Sequence, residues 1–312
     1  MKTMNRYVTA LSAALLLAAS ASVASAAPTA VEADKMPAPA RANLRGVIAK
    51  ARSADAAAFT QVRAIAAGAR EADLHARARK APISLRLSAL GPRAVLPLID
   101  LIAFDSAPYA PNESVADRAS VQRDLIEAIG LLKDARALPV LAIAVTRQGD
   151  FATMRTSAEA LARLDSDAAA AALVSALAAA SGEHTTALLS GMGACHRPVV
   201  ARTLADRLGA HPDASVARHL VKSLGSVGNA WAWQTLASRS DEAAVREVAA
   251  TALVAGYVHY TGEVREAAAK ALLAVSDTHT PALLAAARSG ASSELALSLD
   301  DLAARLSANP TR

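Results

Sequence analysis

Apolar residues recur along this chain at helical intervals. In the clearest stretch Leu125, Ile129 and Leu132 stand at i, i+4 and i+7 on one face, while Arg123, Asp124 and Lys133 lie elsewhere. Short turns with Asp, Gly or Pro follow such stretches, and a second stripe then begins. Gly91-Pro92 leads to Val95, Leu96 and Ile99; Lys133-Asp134 leads to Leu138, Leu141 and Val145; Arg197-Pro198 leads to Val200, Leu204 and Leu208. Pro92 and Pro198 suit a first helical turn, where a missing N–H costs nothing. The pattern predicts antiparallel helix pairs and an all-α fold.

The pairs repeat. A small residue, an apolar residue and often Gly close the first helix of each: Ala89-Leu90-Gly91, Ala128-Ile129-Gly130, Ala160-Leu161-Ala162, Gly191-Met192-Gly193, Ser223-Leu224-Gly225, Ala252-Leu253-Val254 and Ala271-Leu272-Leu273. Their third positions are 39, 32, 31, 32, 29 and 19 residues apart. A period near 31 residues predicts a stack of units, each too thin to bury its apolar face alone. The small residue lets two helix axes approach closely. The long first spacing contains Phe104 to Asp117, read as an extended loop. The final short spacing leaves no room for a second helix after Tyr257, so regular stacking is expected to break there. Leu295, Leu299, Leu302 and Leu306 predict a last amphipathic helix that caps the array.

An Arg shortly before an Ala-rich helix end completes the pattern, at its fullest in Val264-Arg265-Glu266-Ala267-Ala268-Ala269-Lys270-Ala271-Leu272 and in the stretch holding Arg246. Arg123, Arg155 and Arg218 recur one residue nearer the small position. This resembles HEAT repeats, and in its short period the HEAT-like repeats of bacterial chains, including the phycobilin lyases. The resemblance covers roughly residues 81–290. It implies an α-α superhelix of about six to seven helix pairs, here over residues 81–307, with a short tail at 308–312. The repeat Arg residues then read as structural, each bonding a carboxylate or helix carbonyl of a neighbouring unit, with Asp124, Asp241, Glu247 and Glu266 as candidate partners.

Composition sharpens the picture. Apolar residues make up 53% but aromatics only 3%, so the core must be built from Ala, Leu and Val, the palette of close helix packing. At the amino terminus Lys2 and Arg6 precede an apolar run, Val8 to Ala19, and the small residues Ala24-Ser25-Ala26. This predicts a signal peptide over residues 1–26, cut after Ala26, and hence a periplasmic or secreted protein. Residues 27–40, rich in Pro and Ala, read as a mobile linker, and residues 41–80 as an amino-terminal helical cap. Residues 94–312 hold 19 basic against 23 acidic side chains, whereas Lys35 to Arg93 holds 12 basic against 3 acidic. Within it residues 41–93, with Arg77, Arg79 and Lys80, suggest weak contact with an anionic surface, weighed against a solvated helix face. No nucleic-acid partner is expected, since stacking aromatics are missing there.

No motif of a hydrolase elbow, a metalloprotease helix, a C-x-x-C pair or a phosphate loop occurs, so no catalytic residue, metal site or cofactor is expected. Cys195-His196-Arg197 is the most reactive-looking cluster, weighed against a plainly buried thiol. A metal on Cys195 with His184, His196, His211 or His219 would have to join opposite edges of the array. The aromatic group Trp231, Trp233, Tyr257 and Tyr260 is the better binding candidate, because such rings bury large area with a polar tip, although they would equally fill a packing gap. With Arg202 and Arg207, expected on the inner surface of second helices, they predict capture of a protein or peptide. The expectation is an exported, non-catalytic binding or scaffold module of the bacterial envelope, with a lyase-type enzyme or accessory using Cys195 or a nearby His as the alternative.

Overall fold

A computed structural model describes residues 30–68, 82–105 and 115–309. The expected signal peptide over residues 1–26 and the basic residues Arg77, Arg79 and Lys80 lie outside them. The described residues are helical throughout, with turns and no strand. None of their helices is long and apolar enough to cross a membrane.

The chain begins with α1 (Ala38–Ala54) and α2 (Ala56–Ala67), followed by α3 (Ile83–Ser88), α4 (Val95–Ala103), α5 (Val115–Leu131), α6 (Leu138–Ala144), α7 (Phe151–Ala162) and α8 (Asp167–Ala179). It continues through α9 (Gly182–Gly191), α10 (Pro198–Gly209), α11 (Ala214–Val227), the short α12 (Ala230–Gln234), α13 (Glu242–His259), α14 (Gly262–Val275), α15 (Thr280–Arg288) and α16 (Ser293–Ser307). Helix starts follow local chemistry: Asp55, Asp150, Ser166, Asp213, Asn229 and Ser292 each accept a backbone N–H of the turn they precede.

Packing divides the helices into two series. In the first, α3 packs on α5, α5 on α7, α7 on α9, α9 on α11, α11 on α14 and α14 on α16; in the second, α4 contacts α6, α6 contacts α8, α8 contacts α10, α10 contacts α13 and α13 contacts α15. The small residues make the seam of the first series. A Cβ added to Gly130 would meet Ala160 at 2.6 Å, one on Gly191 would meet the Ala158 side chain at 2.6 Å, and one on Gly225 would meet Ala271 at 2.8 Å. Gly130, Gly193 and Gly225 thus meet the next triplet at Ala160, Ser223 and Ala271, while Gly191 meets Ala158 just before the triplet Ala160-Leu161-Ala162, as close axis approach requires.

That seam corrects one expectation. Ala252-Leu253-Val254 does not close a first-series helix, because it lies within α13, which packs on α10 through Gly256 against Leu208. The next first-series helix after α11 is α14, and α13 is itself the second helix that the spacing was thought to exclude. The alternation therefore continues past Tyr257, with α12 inserted into one connection. The triplet marks any close helix contact, so it also occurred in the partner series.

The amino-terminal segment departs from a mobile linker. Ala30, Val31 and Met36 are buried, the Val31 N–H donates to the Ile102 carbonyl at 2.9 Å, and Arg147 bonds the Ala30 carbonyl. Helices α1 and α2 cover α4, so every residue of Val95–Ala103 is buried, including Asp100. Burial raises the Asp100 carboxyl above its ordinary range while the Arg52 guanidinium draws it down. Of the loop expected from Phe104 to Asp117, Val115 to Asp117 are already helical and residues 106–114 lie outside the described set. At the far end Leu299, Leu302 and Leu306 of α16 are buried, and Asn309 donates to the Leu273 carbonyl at 2.9 Å.

Candidate partner-binding surface

The four aromatics singled out in the sequence separate in space. Trp233 is buried, with its indole N–H donating to the Val227 carbonyl at 3.0 Å and its ring edge-on to His196. Tyr257 is buried and donates to the Ser298 carbonyl at 3.0 Å, which ties α13 to α16. Tyr260 donates to the Pro212 carbonyl at 2.7 Å, and its neighbour His259 stacks on His211. These three rings fill space between helices, with their polar tips bonded inside the chain. Trp231 alone faces outward, 65% exposed. It borders a cleft of about 540 Å³ with Leu273 of α14 and Arg305 of α16. Arg202 and Arg207 sit exposed on α10, in the other series, and neither lines the cleft that Trp231 borders.

Cys195 closes the turn after α9 and is fully buried. Burial pushes its thiol up to about 12, and the Asp165 carboxylate adds to the effect. Such a thiol stays protonated at neutral pH, which removes the basis for nucleophilic attack. His196 is buried beside it, and burial holds its imidazole below the ordinary value against the pull of Asp165, with Lys133 repelling the charge. Arg197 reaches back to the Asp165 carbonyl through Nε at 2.9 Å and stands 3.5 Å from Asp241, so it fastens neighbouring turns. A cleft of about 360 Å³ opens here, lined by Lys133, His196 and Trp233 among others. His184 lies elsewhere, between the Val145 carbonyl and Gln148.

The repeat Arg residues divide by task. Arg123 stands 3.6 Å from Asp150 at the start of α7, and Arg218 bonds Glu263 at the start of α14 at 2.8 Å, so both link first-series neighbours. Arg246 donates from Nε to the Val275 carbonyl at 3.0 Å, at the end of α14, and Arg265 donates to the Tyr257 and Tyr260 carbonyls across the α13–α14 turn. Arg155 pairs within its own helix with Glu159. In the basic amino-terminal segment Arg52, Arg63 and Arg93 pair with Asp100, Asp105 and Asp55. Those cations serve the fold.

What the sequence did not disclose is a continuous recess on the first series. A cleft of about 300 Å³ bounded by Phe151, Arg155 and His219 shares Lys222 and Ser226 with a larger one, about 690 Å³, between α11 and α14. The larger cleft shares Asn229 and Ala274 with the one that Trp231 borders. His219 bonds the Ser190 hydroxyl at 2.6 Å and leans on Phe151; desolvation, followed by Lys222, Arg218 and Arg155, lowers its affinity for a proton. The i, i+4 pair Arg218 and Lys222 was visible in the sequence, but its juxtaposition with Lys270 needs α11 and α14 side by side. A scan of protein-family models and a search of curated proteins find no match to this chain.

Proposed function

We propose that the chain is a non-catalytic binding module: an α-solenoid of short HEAT-like helix pairs, exported to the bacterial envelope, that captures a protein or peptide segment on its first helix series. The observation that carries this reading is the run of joined clefts from Phe151 to Trp231, which ends on a large aromatic ring left in solvent. An extended recess of this kind suits a repeat stack, whose neighbouring units offer one surface many contacts deep. Exposed Trp is enriched where binding energy concentrates. The signal-like amino terminus supports the location, and the burial of Cys195 and His196 weighs against the lyase-like alternative that would use Cys195 or a nearby His.

A photo-crosslinking amino acid placed at Trp231, and in a second variant at Arg207, tests the surface. Irradiation of the processed protein in its own envelope fraction should yield a discrete adduct from position 231 and none from 207. Adducts from 207 alone would move the site to α10, and no adduct from either would remove the binding role proposed for this face.

A further inference from the structure

The joined clefts carry a charge that the surrounding chain does not. Their walls present Arg155, Arg218, Lys222, Lys270 and Arg305 against the carboxylates of Glu263 and Glu266. Residues 94–312 as a whole have more carboxylates than cations, 23 to 19, so the cationic recess is a local concentration in a chain region of opposite sign. Lys222 and Lys270 are exposed and form no ion pair among the described residues. The other three have only loose or solvent-exposed partners: Arg155 is 3.7 Å from Glu159, Arg305 is 3.8 Å from Asp301, and Arg218 meets Glu263 in open solvent. Exposed pairs of this kind are worth about 0–1 kcal/mol, so these guanidinium groups can turn to a better acceptor at little cost.

From this we infer that the recess takes an acidic, extended polypeptide segment of a partner, with an apolar side chain of that segment seated against Trp231. The inference rests on the binding reading above and names the chemistry of its ligand. The path crosses α7, α9, α11, α14 and α16; at roughly 8–10 Å between neighbouring helix axes it is long enough for about ten extended residues. Asn229 stands where two clefts meet. Its side-chain oxygen accepts the Trp231 and Ala232 N–H groups, leaving the amide donors directed by neither bond and suited to a passing backbone carbonyl. Desolvation, and after it Lys222, Arg218 and Arg155, lowers the proton affinity of His219, and a carboxylate laid among those cations would raise it. Among the described residues of the recess a nucleic acid would find only the His219 ring between Phe151 and Trp231, and that ring already leans on Phe151 and bonds Ser190.

Fluorescence anisotropy with a labelled decapeptide of Glu and Asp ending in Phe tests this directly. Wild-type protein should bind it, with affinity falling as salt rises, and a Lys peptide of equal length should not bind. K222E/K270E should weaken binding about tenfold or more, R202E/R207E should leave it unchanged, and both variants should keep wild-type far-ultraviolet dichroism because all four positions are exposed. The His219 proton resonance should titrate at higher pH in the bound state. No binding at low salt, equal binding by K222E/K270E, or preference for an oligonucleotide or for phosphatidylglycerol vesicles would overturn the inference. Crosslinks from position 231 that persist in K222E/K270E would overturn the acidic ligand and leave the binding surface standing.

Discussion

Cys195 and His196 are adjacent in sequence and share one buried turn, yet each is made quiet by the same cause, the loss of water around it. For the thiol, loss of solvation disfavours the anion and raises the pKa to about 12. Alkylation by iodoacetamide at neutral pH should therefore be negligible in the folded protein and rapid once denaturant exposes the chain. Prompt, stoichiometric labelling of the native state would contradict this. For the imidazole, desolvation disfavours the cation, so the folded pKa lies below 6.5 while the unfolded chain protonates near that value. As pH falls through 6.5 the unfolded state binds more protons than the folded one, and stability must fall. Above that window both states are neutral and the contribution is flat. Urea midpoints should therefore drop between about pH 7.5 and 5.5, and His196→Phe, which keeps an aromatic ring against Trp233, should flatten part of that slope.

At the scale of the element, the first-series seam shows how the sequence can be legible and still misread. The triplets around Gly130, Gly191 and Gly225 stood out because close helix approach admits only small side chains, and the structure brings those residues together. The same chemistry at Ala252 was assigned to the wrong series, since smallness reports a close neighbour without saying which one. Turns were readable from Asp, Gly and Pro, whereas the left-handed residues after α3, α5, α7 and α14 are Gly91, Lys133, Asp165 and Ser276, four types with no common signal. Aromatic clustering pointed near Trp231 but could not tell an exposed ring from the buried Trp233 two residues on, because that depends on what α13 and α14 cover. The groove cations lay in different units and became neighbours only on packing. The seam gives a direct test. Gly191→Ala would drive a Cβ to 2.6 Å from the Ala158 side chain and 2.7 Å from the Arg155 carbonyl, so it should cost about 1–3 kcal/mol by denaturant titration. Gly46→Ala in α1, where nothing lies within 4 Å, should instead stabilise by about 0.5–1 kcal/mol. Equal effects at the two sites would remove the seam as the reason for these glycines.

Across the whole molecule, the two packing series imply a particular distribution of stability. Each helix in the middle of a series rests on its predecessor and successor, and the contacts joining α3 to α5 involve none of those joining α14 to α16. In a nearest-neighbour array, as the proposed solenoid would be, the loss of one end should be felt locally, while in a closed globule it would be shared by the whole core. Helix α16 is the element to remove, because it buries Leu299, Leu302 and Leu306 and holds the Tyr257 hydroxyl through the Ser298 carbonyl. At roughly 1.5–3 kcal/mol for each leucine withdrawn from water, the three together contribute about 4.5–9 kcal/mol before the entropy of ordering α16 is subtracted. A chain ending at Gly290 should therefore lose amide protection in α13, α14 and α15, and keep wild-type exchange rates in α5 and α7. Hydrogen exchange read by mass spectrometry separates the cases. If protection fell together in α5, α7 and α14, the two series would belong to one cooperative core, and the extended recess would lose its repeat-stack rationale.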